Sequence, residues 1–332
     1  MVTPWLIALA ASGWAQTGSS AGPRPTVPPL STPLGLPSPE LTLESRGDEL
    51  ATLGARLFFD SILSADRTVA CASCHRPERG FADDVTFSLG AHGRQTARNT
   101  PTLLNRVYGS HFMWDGRASS LAEQVLLPIE NPLEMDLPLE QALARLRAEA
   151  GYATEFERVL GSAPARDGLA RALAAYVRRL VLGDSPVDRF RAGDFAALDD
   201  EARAGLWFYE SRGGCWRCHG GANFSDEDFH ATGVGARPGE GGAVEPEPGR
   251  AAVTGRTEDR GRFKTPTLRG VAATAPYMHD GSLTTLEEVV EFYRLGGRAN
   301  ANLDPLLAPL EMSTSDARNL VAFLRALSVE GR

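Results

Sequence analysis

Apolar residues along this chain recur mostly at helical spacing, and strand-like alternation is scarce. Between 167 and 182, Leu169, Leu173, Tyr176, Val177 and Leu180 share one face, with Asp167 placed to cap the start and Gly183 to end it. Leu139 to Glu149 reads as a second helix, with Pro138 near its first turn and Gly151 just beyond its end. Thr284 with Glu287 forms a capping box before the run from Leu286 to Tyr293, which Gly296 and Gly297 close. Ser313 with Asp316 opens a last helix carrying Leu320, Phe323, Leu324 and Leu327. The Gly-, Pro- and Glu-rich stretch from Arg237 to Arg250 predicts a loop.

The pattern repeats. Thr100-Pro101-Thr102-Leu103 aligns with Thr265-Pro266-Thr267-Leu268 at an offset of 165 (265 minus 100). Without a gap, Met113 then meets Met278, Asp115-Gly116 meets Asp280-Gly281, and Leu121, Glu123 and Val125 meet Leu286, Glu288 and Val290. Upstream, Cys71 and Cys215 are 144 apart, so the second half holds 21 extra residues (165 minus 144), expected in the loop after Arg237. A duplicated domain is the simplest reading. It predicts an all-α fold of two helical domains, 41–182 and 183–332, behind a Pro/Gly/Ser-rich linker at 16–40.

Composition agrees with a packed protein of that size: 332 residues, 42% hydrophobic and 23% charged. The net charge of −8 argues against nucleic-acid binding, which needs a basic face. Lys264 is the single lysine. Residues 1–15 read as an export signal, with an apolar stretch from Leu6 to Ser12 and a small-residue cleavage site at Gly13-Trp14-Ala15. That implies a periplasmic location. No other apolar run is long enough to cross a bilayer.

Four cysteines in an exported chain suggest disulfides. Here they fall as Cys71-Ala72-Ser73-Cys74-His75 and Cys215-Trp216-Arg217-Cys218-His219, the pattern of covalent c-type haem attachment. Each thiol pair would form thioethers to one haem, and His75 and His219 would bind the irons. A zinc site would leave each histidine unexplained, and thioredoxin-like chemistry would need a βαβ context that is missing.

The opposite side of each iron decides the chemistry, since open iron binds peroxide and closed iron carries electrons. Tyr293 aligns with Pro128 (293 minus 165), and tyrosine can ligate iron where proline cannot. Either haem two is closed by Tyr293 and haem one open, or Tyr293 is an ordinary core residue. Glu134 aligns with Ala299, so a carboxylate able to shuttle protons stands in the first half alone. The bland alternative is a solvated loop glutamate.

With Leu57-Phe58-Phe59-Asp60, Arg98 to Asn105, Trp114-Asp115-Gly116-Arg117, Asn131 to Met135 and Pro276 to Gly281 added, the chain resembles the bacterial dihaem cytochrome c peroxidases and their MauG-like relatives, from Leu53 to Leu327. The resemblance implies two cytochrome-c-like domains. It makes haem one, on His75, the peroxide-reactive haem, with Glu134 as its acid–base group and Gln124 in the same pocket. It makes Trp114 the relay between haems, and Asn99, Thr274 and Pro276 ligands of a calcium ion. It sets Tyr293 on haem two, as in MauG-like enzymes, where the peroxidases carry methionine; Met278 and Met312 are the fallback ligands. His92 is a candidate blocking ligand of haem one or an exposed loop residue. His111 and His230 take no role, and His279 a structural one. The implied partners are hydrogen peroxide, and either a small periplasmic cytochrome or cupredoxin donor or a protein substrate. A homodimer is one arrangement open to it. A pure electron carrier is the rival from another class.

Overall fold

The computed structural model describes residues 27–29, 31–39, 47–235, 238–239, 242–243 and 247–329. The export signal, the linker up to 26 and the expected start near Leu41 lie outside these residues. In chain order the helices that build the fold are α1 (Asp48–Phe59), α2 (Leu121–Gln124), α3 (Leu127–Glu130), α4 (Leu139–Ala148), α5 (Ala150–Leu160), α6 (Arg166–Val177), α7 (Asp200–Glu210), α8 (Leu286–Arg294) and α9 (Thr314–Arg325).

Two crossings organise the chain: α1 packs on α6, and α7 packs on α9. Each depends on a glycine. A Cβ at Gly54 would lie 1.8 Å from the Ala172 carbonyl oxygen, and one at Gly205 would lie 1.9 Å from that of Asn319. Helix axes can approach this closely only where no side chain intervenes. Tyr176 and Phe323 close over the two glycines. Around these crossings lie two separate apolar cores, one from Leu50 to Leu182 and one from Val187 to Leu327.

Backbone contacts recur 165 residues apart. Phe112 N–H donates to Ala118 O at 3.1 Å, and Tyr277 N–H to Leu283 O at 2.6 Å. Met113 and Met278, inside those two turns, both take left-handed backbone, with φ of 68° and 72°. The halves meet through a matching pair of bonds, Asn99 N–H to His279 O and Lys264 N–H to Trp114 O, each 2.8 Å. The loop of extra residues also crosses the seam. Arg250 lies over the Phe229 ring and donates to the carbonyls of Asp115 and Gly116 at 3.0 and 2.8 Å.

The expected helix ends shift in places. Helix α6 starts at Arg166, so Asp167 sits in its first turn rather than capping it, and α-helical geometry stops at Val177. Beyond that, Arg179 and Leu180 bond back only three residues, which tightens the chain and still buries Leu180 and Leu182. The capping box of α8 is Thr285 with Glu288, one residue later than Thr284 with Glu287; Thr284 bonds the same carboxylate from outside. Ser313 and Asp316 form their box as expected. The fold is helix-rich as expected, with a small sheet added: β1 (Phe229–Ala231) pairs antiparallel with β2 (Arg262–Lys264). Three-residue strands thirty residues apart leave no readable alternation. No helix among the described residues is long and apolar enough to cross a membrane.

Candidate active site

The two CxxCH segments fold alike without sharing sequence between their cysteines. Each makes one tight turn, Cys71–Cys74 and Cys215–Arg217, and the histidine N–H bonds back to the first cysteine at 2.9 Å. Both imidazoles then reach a carbonyl that can only accept: His75 Nδ1 lies 3.0 Å from Phe81 O, and His219 Nδ1 3.1 Å from Phe224 O. So Nδ1 carries the hydrogen in each ring and Nε2 keeps a lone pair. Burial lowers the pKa of both and keeps them neutral. All four cysteines are unpaired thiols. Burial pushes Cys71 up to about 12, and Cys74 and Cys215 to about 11, so these stay protonated and poor in nucleophilicity. Half-buried thiol pairs with an adjacent neutral imidazole of fixed tautomer fit a covalently attached haem; they do not fit a disulfide exchanger.

In the second half, one cavity collects Cys215, Cys218 and His219 with Tyr293, Met278 and Met312. The sequence-derived ligand and both fallbacks therefore line the same space. Burial first, and then the Cys218 and Cys215 sulfurs, push the Tyr293 phenol above its ordinary range. Its hydroxyl makes no hydrogen bond among the described residues. A cation placed against it would reverse that shift and favour the phenolate. The cavity reaches across the seam, where Trp114 and Asn99 border it. Trp114 donates its indole N–H to Asn99 O at 2.8 Å, and its ring centroid lies 6.4 Å from that of His279. His279 is buried and stacked on Phe263 at 3.6 Å, and burial lowers it to about 4.

The first half differs at the equivalent place. Pro128 interrupts the helix, leaving α2 and α3 as two four-residue pieces. Glu134 follows, with Asn131 donating to its Oε1 at 2.5 Å. Burial raises its pKa, partly offset by Arg117 and Asn131, and the same carboxylate acts on Cys71 and Cys74. Gln124 reaches Met113 Sδ at 3.8 Å. His92 is 45% exposed, with Nδ1 3.5 Å from Asp66 and Nε2 3.7 Å from Asp136, so both ring nitrogens face carboxylates.

Asn99, Thr274 and Pro276 border the same cavity as His219. Asn99 Nδ2 donates to the Val85 and Thr86 carbonyls at 3.1 and 3.3 Å, which turns Oδ1 away from them. That oxygen and the Thr274 and Pro276 carbonyls receive no hydrogen bond among the described residues, leaving three hard donors of the kind a calcium ion takes.

Some members of the site carry little sequence signal. His230 bonds Asp304 at 2.6 Å and Asp226 at 3.0 Å beside Cys218; contact with that sulfur, and then with the two carboxylates, raises it to about 10. Lys264, Arg106 and Glu227 form a buried ionic cluster at the seam. Their partners come from segments far apart in the chain.

Residues 48–196 match the family model for di-haem cytochrome c peroxidase, and residues 262–293 match one described as RoxA-like, cytochrome c-like. The chain is 40% identical over 285 residues to methylamine utilization protein MauG of Methylorubrum extorquens, covering 85% of this chain and 79% of that protein. It is 35% identical over 299 residues to cytochrome c551 peroxidase of Pseudomonas aeruginosa, covering 88% and 83%. Among solved structures, a MauG-like protein associated with microbial copper homeostasis superposes with a TM-score of 0.81 at 31% identity, covering 90% of this chain and 95% of that one.

Proposed function

The chain belongs to the di-haem cytochrome c peroxidase family and is a haem peroxidase, and from that premise we propose a division of labour between its halves. Cys71 and Cys74 would attach one c-type haem and His75 would hold its iron; Cys215 and Cys218 would attach the other, with His219. The halves, 41–182 and 183–332, descend from one duplicated cytochrome-c-like domain. Bound there, the haems supply redox-active iron able to reduce hydrogen peroxide to water.

The observation that carries this reading is an asymmetry between matching segments of the two halves. Helix α8 runs unbroken to Tyr293, which lines the cavity with His219 and would close that site, while Pro128 cuts the equivalent helix and leaves Glu134 beyond it. The Glu134 carboxylate would accept a proton from one peroxide oxygen and return it to the other as the bond between them breaks. Asn131 holds its Oε1 in place for both steps. Trp114, pinned by its bond to Asn99 O, relays electrons across the seam. A calcium ion on Asn99 Oδ1 and the Thr274 and Pro276 carbonyls would fix that seam. The apolar stretch and small-residue site at 1–15 support export to the periplasm, where a small cytochrome or cupredoxin would serve as donor.

Tyr293 favours a second reading, in which the oxidising equivalents go to a partner protein instead. An anionic oxygen ligand lowers the potential of its iron, which suits oxidation more than electron supply. Electron-spin resonance of the oxidised protein with a hydrogen peroxide titration tests the core claim. One histidine-only haem that reacts, beside one closed haem that does not, is expected. Two unreactive haems would leave only an electron carrier.

A further inference from the structure

Of the 34 Lys and Arg side chains, all but one are arginine; Lys264 is the only lysine. The exception sits at the end of β2, 9% exposed, with its side chain on the wall of the cavity that holds Cys215, Cys218 and His219. A site that keeps an ammonium in so arginine-rich a chain asks for a compact point charge, because a guanidinium is planar and larger.

The charge is poorly answered by the protein itself. Lys264 Nζ donates to Thr265 O at 2.9 Å and reaches Glu227 Oε1 only at 3.3 Å. Glu227 is already engaged by Arg106, whose two terminal nitrogens take its oxygens at 3.0 and 2.8 Å. One buried carboxylate thus serves two buried cations. The other nearby carboxylates, Asp226 and Asp304, are held by His230. The third ammonium hydrogen has no partner among the described residues. Burial, and after it the Arg106 charge, lower Lys264 to about 8. An under-neutralised buried cation is costly unless an anion joins it.

We propose that Lys264 binds a carboxylate of the haem carried by Cys215 and Cys218, so that one compact ammonium supplies the counter-charge for the second haem's acidic edge. The proposal rests on the two-haem reading above. It gives Lys264 a consequence that a merely structural ion pair would not have. Its positive charge stabilises the reduced iron and raises the potential of haem two.

The single lysine makes the contact directly measurable. In wild-type protein, a ζ-15N label on lysine and a 13C label on the haem carboxylates should show dipolar coupling in the reduced state; absence of coupling overturns the proposal. In Lys264→Met, potentiometry should show haem two shifted to lower potential, with about a tenfold fall in its reduced-to-oxidised ratio at fixed potential, equivalent to about 59 mV for one electron. The resonance signature of its ligands should stay as in wild type. An unmoved potential with intact haem two sinks the proposal alone. Fewer than two haems per wild-type chain sinks the underlying reading instead.

Discussion

The two halves each present the CxxCH histidine to a nearby downstream backbone carbonyl, at 3.0 and 3.1 Å, and then part ways around it. At matching positions, one half has a proline-cut helix followed by a half-buried glutamate; the other has an intact helix that ends on a tyrosine lining the His219 cavity. Beside the second cysteine, Cys74 has Ser88, itself bonded to Asp83 and Thr100, where Cys218 has His230 between two aspartates. At the seam Trp114 occupies the position that His279 takes 165 residues later. The comparison teaches that a repeated frame of turns and crossings holds the groups in place, while single side chains set on it decide what each site does.

Glu134→Gln breaks the comparison hardest, because it removes the carboxylate proposed as the first half's acid–base group. Peroxide turnover should fall by about 10²- to 10⁴-fold, measured as kcat with a reducing donor. Burial raises the Glu134 pKa, so the wild-type rate should climb with pH through a midpoint above the ordinary value of about 4.3, and the variant should lose that limb. The linked stability runs the other way. A carboxyl whose folded pKa is raised stabilises the fold below its unfolded value and loses that contribution as pH rises through the folded one. Glutamine mimics the protonated acid, so the variant should be at least as stable as wild type at pH 7; a clear loss there would mean Glu134 is mainly structural.

Tyr293→Phe sharpens the comparison with a smaller effect on turnover. It keeps the ring and removes the oxygen. The closed-haem resonance signature should change and the potential of haem two should rise. If both stay as they were, Tyr293 only lines the cavity.

The smallest effects test the frame. Gly54→Ala and Gly205→Ala each push a methyl into a carbonyl of the facing helix. Each should cost about 1–3 kcal/mol in denaturant unfolding, and by similar amounts if the two crossings are equivalent. Loss of one haem environment without the other would show that the halves unfold separately.

Much of the fold was legible in the chain. Caps and stop signals located α4, α8 and α9 to within a residue or so, because capping is chemistry between neighbours. The end of α6 was harder, since its apolar spacing continues through Leu180 after the α-helical turns have stopped. Helix α5 starts directly after α4 and has no side-chain cap, and α1 also lacks one, so neither announces its start. The candidate site divides along the same line. Both CxxCH motifs, Tyr293, Glu134 and Trp114 could be named because motif spacing and the 165-residue offset are properties of sequence order. His230, Arg106, Glu227 and Arg250 could not, since each acts through a partner far along the chain.

What the sequence alone determined, then, is the frame and its repeated chemistry: where turns form, which thiols and imidazoles stand together, and where the second half departs from the first. Only the tertiary structure decided which charges are answered. Glu227 is shared between Arg106 and Lys264 across 121 and 37 residues. The physical reason is range: hydrogen-bonded turns are settled among neighbours, whereas the neutralisation of a buried charge depends on whatever folding brings against it.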